Sequence, residues 1–291
     1  VPRLSLYGGL AEQTAGLVIR RYSTSFGLAS RLLGSGVRQH VENIYALVRI
    51  ADEVVDGGAV EAGLDPVHVA RVLNDLERDT EDALELGYSA NLVIHAFAMT
   101  ARLTGFGVEL TRPFFDSMRA DLSETRHDRR SFDAYVYGSA EVVGLMCLRA
   151  FLLDASVSDE VDARLTHGAR RLGAAFQKVN FLRDLADDFE RLGRSYFPGV
   201  EVGSFTEADK IRLLDDIDDD LRQSAEVIPL LPSSSRRAVA LAQGLFAELS
   251  ARLRRTPAEQ LIAARVRVPD PVKLRIAAVA LAGWVPRRVM P

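Results

Sequence analysis

Two acidic pairs, each with its members four residues apart, set the strongest constraint on this chain. In Gln177-Lys-Val-Asn180-Phe-Leu-Arg183-Asp184-Leu-Ala-Asp187-Asp188, the residues Gln177, Asn180, Asp184 and Asp188 follow at intervals of 3, 4 and 4. At 3.6 residues per turn those intervals lay two amides and two carboxylates along one narrow stripe of a helix. Like charges at i and i+4 weaken an isolated helix by about 0.2–0.5 kcal/mol, so either water or a cation must screen them. Taken alone, the stripe also reads as the solvated side of an amphipathic helix. The second pair is less easily read that way. In Tyr45-Ala-Leu-Val-Arg49-Ile-Ala-Asp52-Glu53-Val-Val-Asp56, Asp52 shares its helix side with Tyr45, Val48 and Arg49. Carboxylates seldom occupy apolar surroundings without a partner or a metal.

The rest of the chain supplies helices to carry these pairs. A first helix spans Leu10 to Arg20 and breaks at Arg21-Tyr22-Ser23-Thr24-Ser25-Phe26, because hydroxyl side chains compete for backbone hydrogen bonds. A second runs over roughly 38–56 and stops at Gly57-Gly58. Asp65-Pro66 opens the next, which reaches Leu86; Ser89 opens one ending near Gly105, and Thr111-Arg-Pro113 another. Ser131 to Asp154 reads as one long helix whose Gly138 and Gly144 let a ligand or another backbone approach. The helix from Ser158 bears the second acidic pair. Thr206-Glu-Ala-Asp caps a helix containing Asp215, Asp216, Asp218 and Asp219, read as solvated surface; Ser233 to Arg255 and a segment after Pro269-Asp270-Pro271 complete the chain. No stretch alternates as a strand does, so the fold class is all-α, with about ten helices.

Composition narrows the function classes. A net charge of −4 gives no general attraction to nucleic acid or anionic lipid. Lys178, Lys210 and Lys273 are the only lysines among 36 basic residues, and the arginine excess suits diphosphate, whose oxygens a planar fork can bond in pairs. Cys147 is the sole cysteine, which excludes an intrachain disulfide and a thiolate cluster. No basic-then-apolar leader is visible at the N-terminus, and the run Ile276–Val285 falls short of the about 20 residues a bilayer takes. A cytoplasmic location is expected. Phosphate-loop, dinucleotide and zinc-protease patterns are absent from the sequence.

Acidic pairs facing each other across a helical bundle would suit magnesium, which takes hard oxygen ligands and keeps waters while bridging carboxylates to substrate phosphates. Arg49 and Arg183 could complete a diphosphate clamp, stabilising negative charge as it develops on a leaving group. An allylic diphosphate so treated ionises to a carbocation that needs dry walls; Phe26, Tyr45, Tyr135 and Phe176 are the candidates.

The order of these motifs resembles the squalene and phytoene synthases, the head-to-head trans-prenyl transferases, from Tyr22 to about Lys273. Tyr22-Ser23-Thr24-Ser25-Phe26 looks like the family's substrate-binding segment. Tyr45 and Arg49–Asp56 look like its first aspartate-rich motif, Tyr135-Val-Tyr137-Gly138 with Val143-Gly144 like its cavity segment, and Gln177–Asp188 with Gly193-Arg194-Ser-Tyr196-Phe-Pro198 like its second. The resemblance implies a single-domain isoprenoid-synthase-type bundle over 1–291 with a central cavity. It implies metal ligation by Asp52, Asp56, Asn180, Asp184 and Asp188, with Mg2+ or Mn2+ as the ion. Substrate contacts would come from Tyr22, Ser23, Thr24, Ser25, Phe26, Tyr45, Arg49, Gln177 and Arg183; Tyr135 joins Arg49 and the four aspartates as catalytic. Two prenyl diphosphates would be the partners, with peripheral membrane contact and no nucleic acid. The implied product is phytoene from two geranylgeranyl diphosphates; alternatives are squalene-type coupling of farnesyl diphosphate, the squalene outcome using NADPH, or transfer or cyclisation by a divergent member. Three positions depart from the pattern: Glu53 replaces a common Asp, Glu141 a small residue, which puts the cavity's shape in question, and Phe246 a tyrosine.

Overall fold

A computed structural model describes residues 2–23, 25–185, 195–262 and 265–283, and the side chains of all of these but 25, 26 and 202. Among the described residues there is no strand, only an isolated bridge between Arg126 and Ser195. The helices are α1 (Arg3–Tyr22), α2 (Ser25–Ser30), α3 (Ser35–Asp56), α4 (Gly58–Glu61), α5 (Pro66–Leu86), α6 (Leu92–Thr104), α7 (Val108–Ser123) and α8 (Arg129–Val136). A π-turn over Tyr137–Glu141 joins α8 to α9 (Val142–Phe151). Then follow α10 (Asp159–Arg183), α11 (Glu207–Val227), α12 (Ser233–Arg255), α13 (Ala258–Leu261) and α14 (Asp270–Leu281).

Local chemistry sets the boundaries. Asp65 caps α5 by accepting from the His68 N–H at 2.9 Å, with Pro66 pre-set at the first helical position. Thr206 and Asp209 form a reciprocal capping box on α11. At α6 the cap is Asn91 rather than Ser89: Asn91 Oδ1 accepts from Val93 and Ile94, while Ser89 Oγ only steadies the Asn91 N–H. The helix expected from Thr111 begins three residues earlier, at Val108. Pro113 therefore lies inside it, where the missing N–H removes one bond near the N-terminal end.

Two apolar clusters build the body. One joins α1, α3, α5, α6, α7 and α9 around Phe97, Phe114 and Phe115; the other joins α8, α10, α11 and α12 around Leu182, Leu214 and Ile217. Burying each such side chain contributes about 1.5–3 kcal/mol. Glycines let the helices between them meet closely. A Cβ on Gly138 would stand 2.1 Å from the Pro113 carbonyl oxygen, and one on Gly173 2.6 Å from that of Ala140. At Gly138 and Gly144 of this segment the backbones of α7 and α10 make the close approach, through the Pro113 and Ala169 carbonyls.

The aspartate run of α11 is not simply solvated. Lys178 of α10 bonds Asp216 and the buried Asp220 at 2.6 and 2.7 Å, and Arg254 of α12 bonds Asp215 and Asp218. Neighbouring acids point to different helices, so the run ties α11 to both.

Candidate active site

Both acidic motifs end their helices. Asp56 is the last residue of α3, and Asp184 is the C-cap of α10, its N–H bonded to the Asn180 carbonyl at 2.9 Å. The C-terminal end of a helix carries partial negative charge, so acids there are disfavoured by about 0.3–1 kcal/mol each unless a cation answers them. Arginines answer them here. Arg49 bonds Asp52 at 2.5 Å and also Glu53, so the Glu53 departure keeps the ion pair its position allows. Asp184 is held through both oxygens by Arg183, at 2.9 and 2.5 Å, and through both by Arg265, at 2.8 and 3.3 Å. Arg265 lies 81 residues away along the chain, and no spacing rule could have found it.

Tyr22, Ser23 and Tyr45 gather around Arg49. The guanidinium lies 4.6 Å from the Tyr22 ring centre, and Tyr45 shares a hydrogen bond with Ser23. Burial pushes the Tyr45 hydroxyl up despite the opposing Arg49 charge, so it stays protonated. Thr24, the Ser25 and Phe26 side chains, and Asp188 lie outside the described residues.

Beneath these groups lies an apolar cavity of about 300 Å³. Its α3 wall includes Ile44, Tyr45 and Val48, and its α10 wall runs from Leu165 to Asn180, about 22 Å at 1.5 Å per residue. Phe176 lines it, stacked on Phe246 with ring centres 3.8 Å apart, so Phe246 does its packing without a hydroxyl. Each acid stands one turn beyond the last lining residue of its helix: Asp52 after Val48, Asp184 after Asn180. Cys147, also on the wall, has its thiol pushed up to about 12 by burial, as expected of a dry interior.

Two expectations about the wall are corrected. Glu141 is not part of it; its carboxylate is 12% exposed and bonds Arg170 at 2.6 Å, so it does not narrow the cavity. Tyr135 does not line it either. The Val142 N–H reaches back five residues to the Tyr137 carbonyl, and this extra residue in the turn rotates everything upstream by about 100° relative to α9. Tyr135 lies beyond the lining residues, packed against the rings of Phe181 and Tyr196, and its hydroxyl donates to the Asp121 carboxylate, 2.8 and 2.7 Å from the two oxygens.

Among the described residues no group of three or more acidic, His or Cys side chains is close enough to cage a metal. Magnesium does not ask for such a cage, since waters and substrate phosphates complete its six oxygens. The hard oxygens of Asp52, Asn180 and Asp184 fit it, and the Arg49 Nε–H, buried and with no partner among the described residues, fits a phosphate oxygen.

The family model for squalene/phytoene synthase matches residues 19–209, from the end of α1 into α11. This chain belongs to the squalene/phytoene synthase family. It is 30% identical over 211 residues to phytoene synthase 3, chloroplastic, of Zea mays, covering 70% of this chain and 47% of that one. It is 33% identical over 186 residues to 15-cis-phytoene synthase of a Paracoccus species, covering 62% and 58%. The chain thus spans about half the length of these relatives. Among solved structures, a dehydrosqualene synthase in complex with ligand superposes with a TM-score of 0.73 at 22% identity, covering 95% of this chain and 97% of that one. No helix among the described residues is long and apolar enough to cross a membrane.

Proposed function

We propose that the protein is a magnesium-dependent prenyltransferase joining two prenyl diphosphates head to head, with phytoene from two geranylgeranyl diphosphates as the product. The observation that carries this reading is the coincidence of two acidic helix ends, each matched by arginine, with the head of a long dry cavity. The names of the two plant and bacterial relatives favour phytoene.

Asp52 and Asp56 on one side, and Asn180, Asp184 and Asp188 on the other, would hold Mg2+, or Mn2+ in its place. The ion supplies neutralisation of charge on the departing diphosphate. Arg49 and Arg183 orient the same group by paired N–H donors. Gln177 and Tyr45 stand where diphosphate gives way to hydrocarbon. The cavity walls exclude water, and the faces of Tyr45 and Phe176 stabilise the allylic cation by about 0.5–2 kcal/mol. Capture of that cation by the double bond of a second substrate closes a cyclopropyl diphosphate on proton loss; its own ionisation and rearrangement end in a second proton loss.

The test is incubation with magnesium and either geranylgeranyl or farnesyl diphosphate, with and without NADPH, followed by mass analysis and assay of released diphosphate. A C40 hydrocarbon from geranylgeranyl diphosphate without NADPH is expected. EDTA should abolish turnover, and Asp52→Asn or Asp184→Asn should lower it about 10²–10³-fold. Coupling of farnesyl diphosphate alone would overturn the choice of product, and full activity in EDTA the mechanism.

A further inference from the structure

Asp121, near the C-terminal end of α7, is 8% exposed and is the meeting point of two buried tyrosines. Tyr135 donates to both of its oxygens, and the Tyr196 hydroxyl donates to Oδ1 at 3.2 Å. Burial, reinforced by the Asp121 charge, holds the Tyr135 phenol well above its ordinary value, so it remains a donor. Both tyrosines lead to the α10 motif, and α7, which carries Asp121, packs on α3, the helix of the other motif. On the Tyr135 side, the ring centre lies 5.8 Å from that of Phe181. On the Tyr196 side, the ring stacks on Phe181, centres 3.9 Å apart and planes 8° apart, and Phe181 sits between Asn180 and Asp184 in the last turn of α10. The strand of chain carrying Tyr196 is also fixed by the Ser195 N–H donating to the Thr125 carbonyl at 2.8 Å, on the loop that follows α7.

A buried carboxylate is a costly way to fill space, and an apolar group of similar volume would pack as well or better. What the acid adds is direction: two charge-assisted O–H donors, one shared between both oxygens, fix two rings, and the rings fix the end of α10 against α7, which in turn packs on α3. We infer that Asp121 is a positioning residue for the metal–diphosphate site, holding the α10 acidic motif through Tyr135 and Tyr196 against α7, and so in place relative to α3. It touches neither substrate nor metal. The inference rests on the reading of the site given under Proposed function.

The experiment uses the full chain and reads binding rather than turnover: affinity for Mn2+ in the presence of inorganic pyrophosphate, by loss of the free-ion paramagnetic resonance signal, together with the melting temperature. Outer residues that orient metal ligands change affinity by about 10–100-fold when altered. Asp121→Asn is accordingly expected to weaken Mn2+–pyrophosphate binding by about tenfold or more, and Tyr196→Phe by a smaller factor. The double variant should bind no more weakly than Asp121→Asn alone, because both changes cut the same link. Asp121→Glu should recover part of the loss. Affinity within twofold of wild type in Asp121→Asn, whatever its melting temperature, overturns the inference. Should that variant fail to fold, Tyr196→Phe decides it by the same criterion. Wild-type chain without affinity for Mn2+ and pyrophosphate overturns the reading of the site itself, and the inference with it.

Discussion

Replacing Gly138 by alanine tests the packing that turns the cavity helix. The added Cβ would lie 2.1 Å from the Pro113 carbonyl oxygen and 2.2 Å from Ser117 Oγ. Ordinary carbon–oxygen contacts are about 3.3 Å or longer, so α7 and the π-turn must part by roughly 1 Å. Overpacking of a dense interior costs about 1–3 kcal/mol, and more where the obstacle is backbone, as here. Against that stands a gain of up to about 1 kcal/mol from removing a helical glycine. The net is a loss of about 2–3 kcal/mol. At about 2.1 cal/mol/K per residue, a chain of 291 residues has an unfolding entropy of about 0.6 kcal/mol/K, so the melting temperature should fall by about 3–5 °C. Thermal circular dichroism against Gly9→Ala provides the control. Gly9 is also helical but a Cβ there meets nothing within 4 Å, so that variant should gain about 1–2 °C. A Gly138→Ala protein melting at or above wild type would refute the close approach of α7 to the π-turn.

Lys210 is 1% exposed and bonds the Arg254 and Thr256 carbonyls at the end of α12; Lys210→Met should cost about 2–4 kcal/mol, read as a lower urea midpoint. His40, His95 and His127 are all held below the ordinary imidazole value, by burial first. Groups with depressed values stabilise the fold above their unfolded pKa, about 6.5, and lose that contribution as pH falls through the folded value, so melting temperature should drop below about pH 6 and drop less in His95→Phe. Iodoacetamide at pH 8 should label Cys147 roughly 10³-fold more slowly than a free thiol, and denaturant should restore the rate.

How much of this was legible in the sequence depends on whether a feature is local. The stripe Gln177, Asn180, Asp184 could be read because helix geometry depends on neighbours three and four apart; Gln177 and Asn180 do line the cavity. The Arg49–Glu53 pair and the α5 and α11 caps were legible for the same reason. Arg265 on Asp184, Lys178 on Asp220 and Tyr196 on Asp121 join residues far apart in the chain, and nothing in their local pattern marks them. Tyr135 was misplaced for the same reason: its partners Asp121, Phe181 and Tyr196 come from three other stretches of the chain. The dipole argument for a cation site also needed the structure, because it depends on α10 stopping at Arg183 with Asp184 as its C-cap.

The extra residue of the π-turn has a consequence at the level of inheritance. A deletion of a single codon within 137–141 would leave a helix of good composition and no broken loop, yet it would exchange the face that Tyr135 presents. Its ring would be swung by about 100°, and Asp121 would lose the bonds this hydroxyl makes. Conversely, a regular helix becomes this one by gaining one codon. An alignment drawn without a gap across this segment therefore matches equivalent positions only between chains that share the bulge, and assigning a role to Tyr135 from a relative requires knowing which of the two turns that relative has.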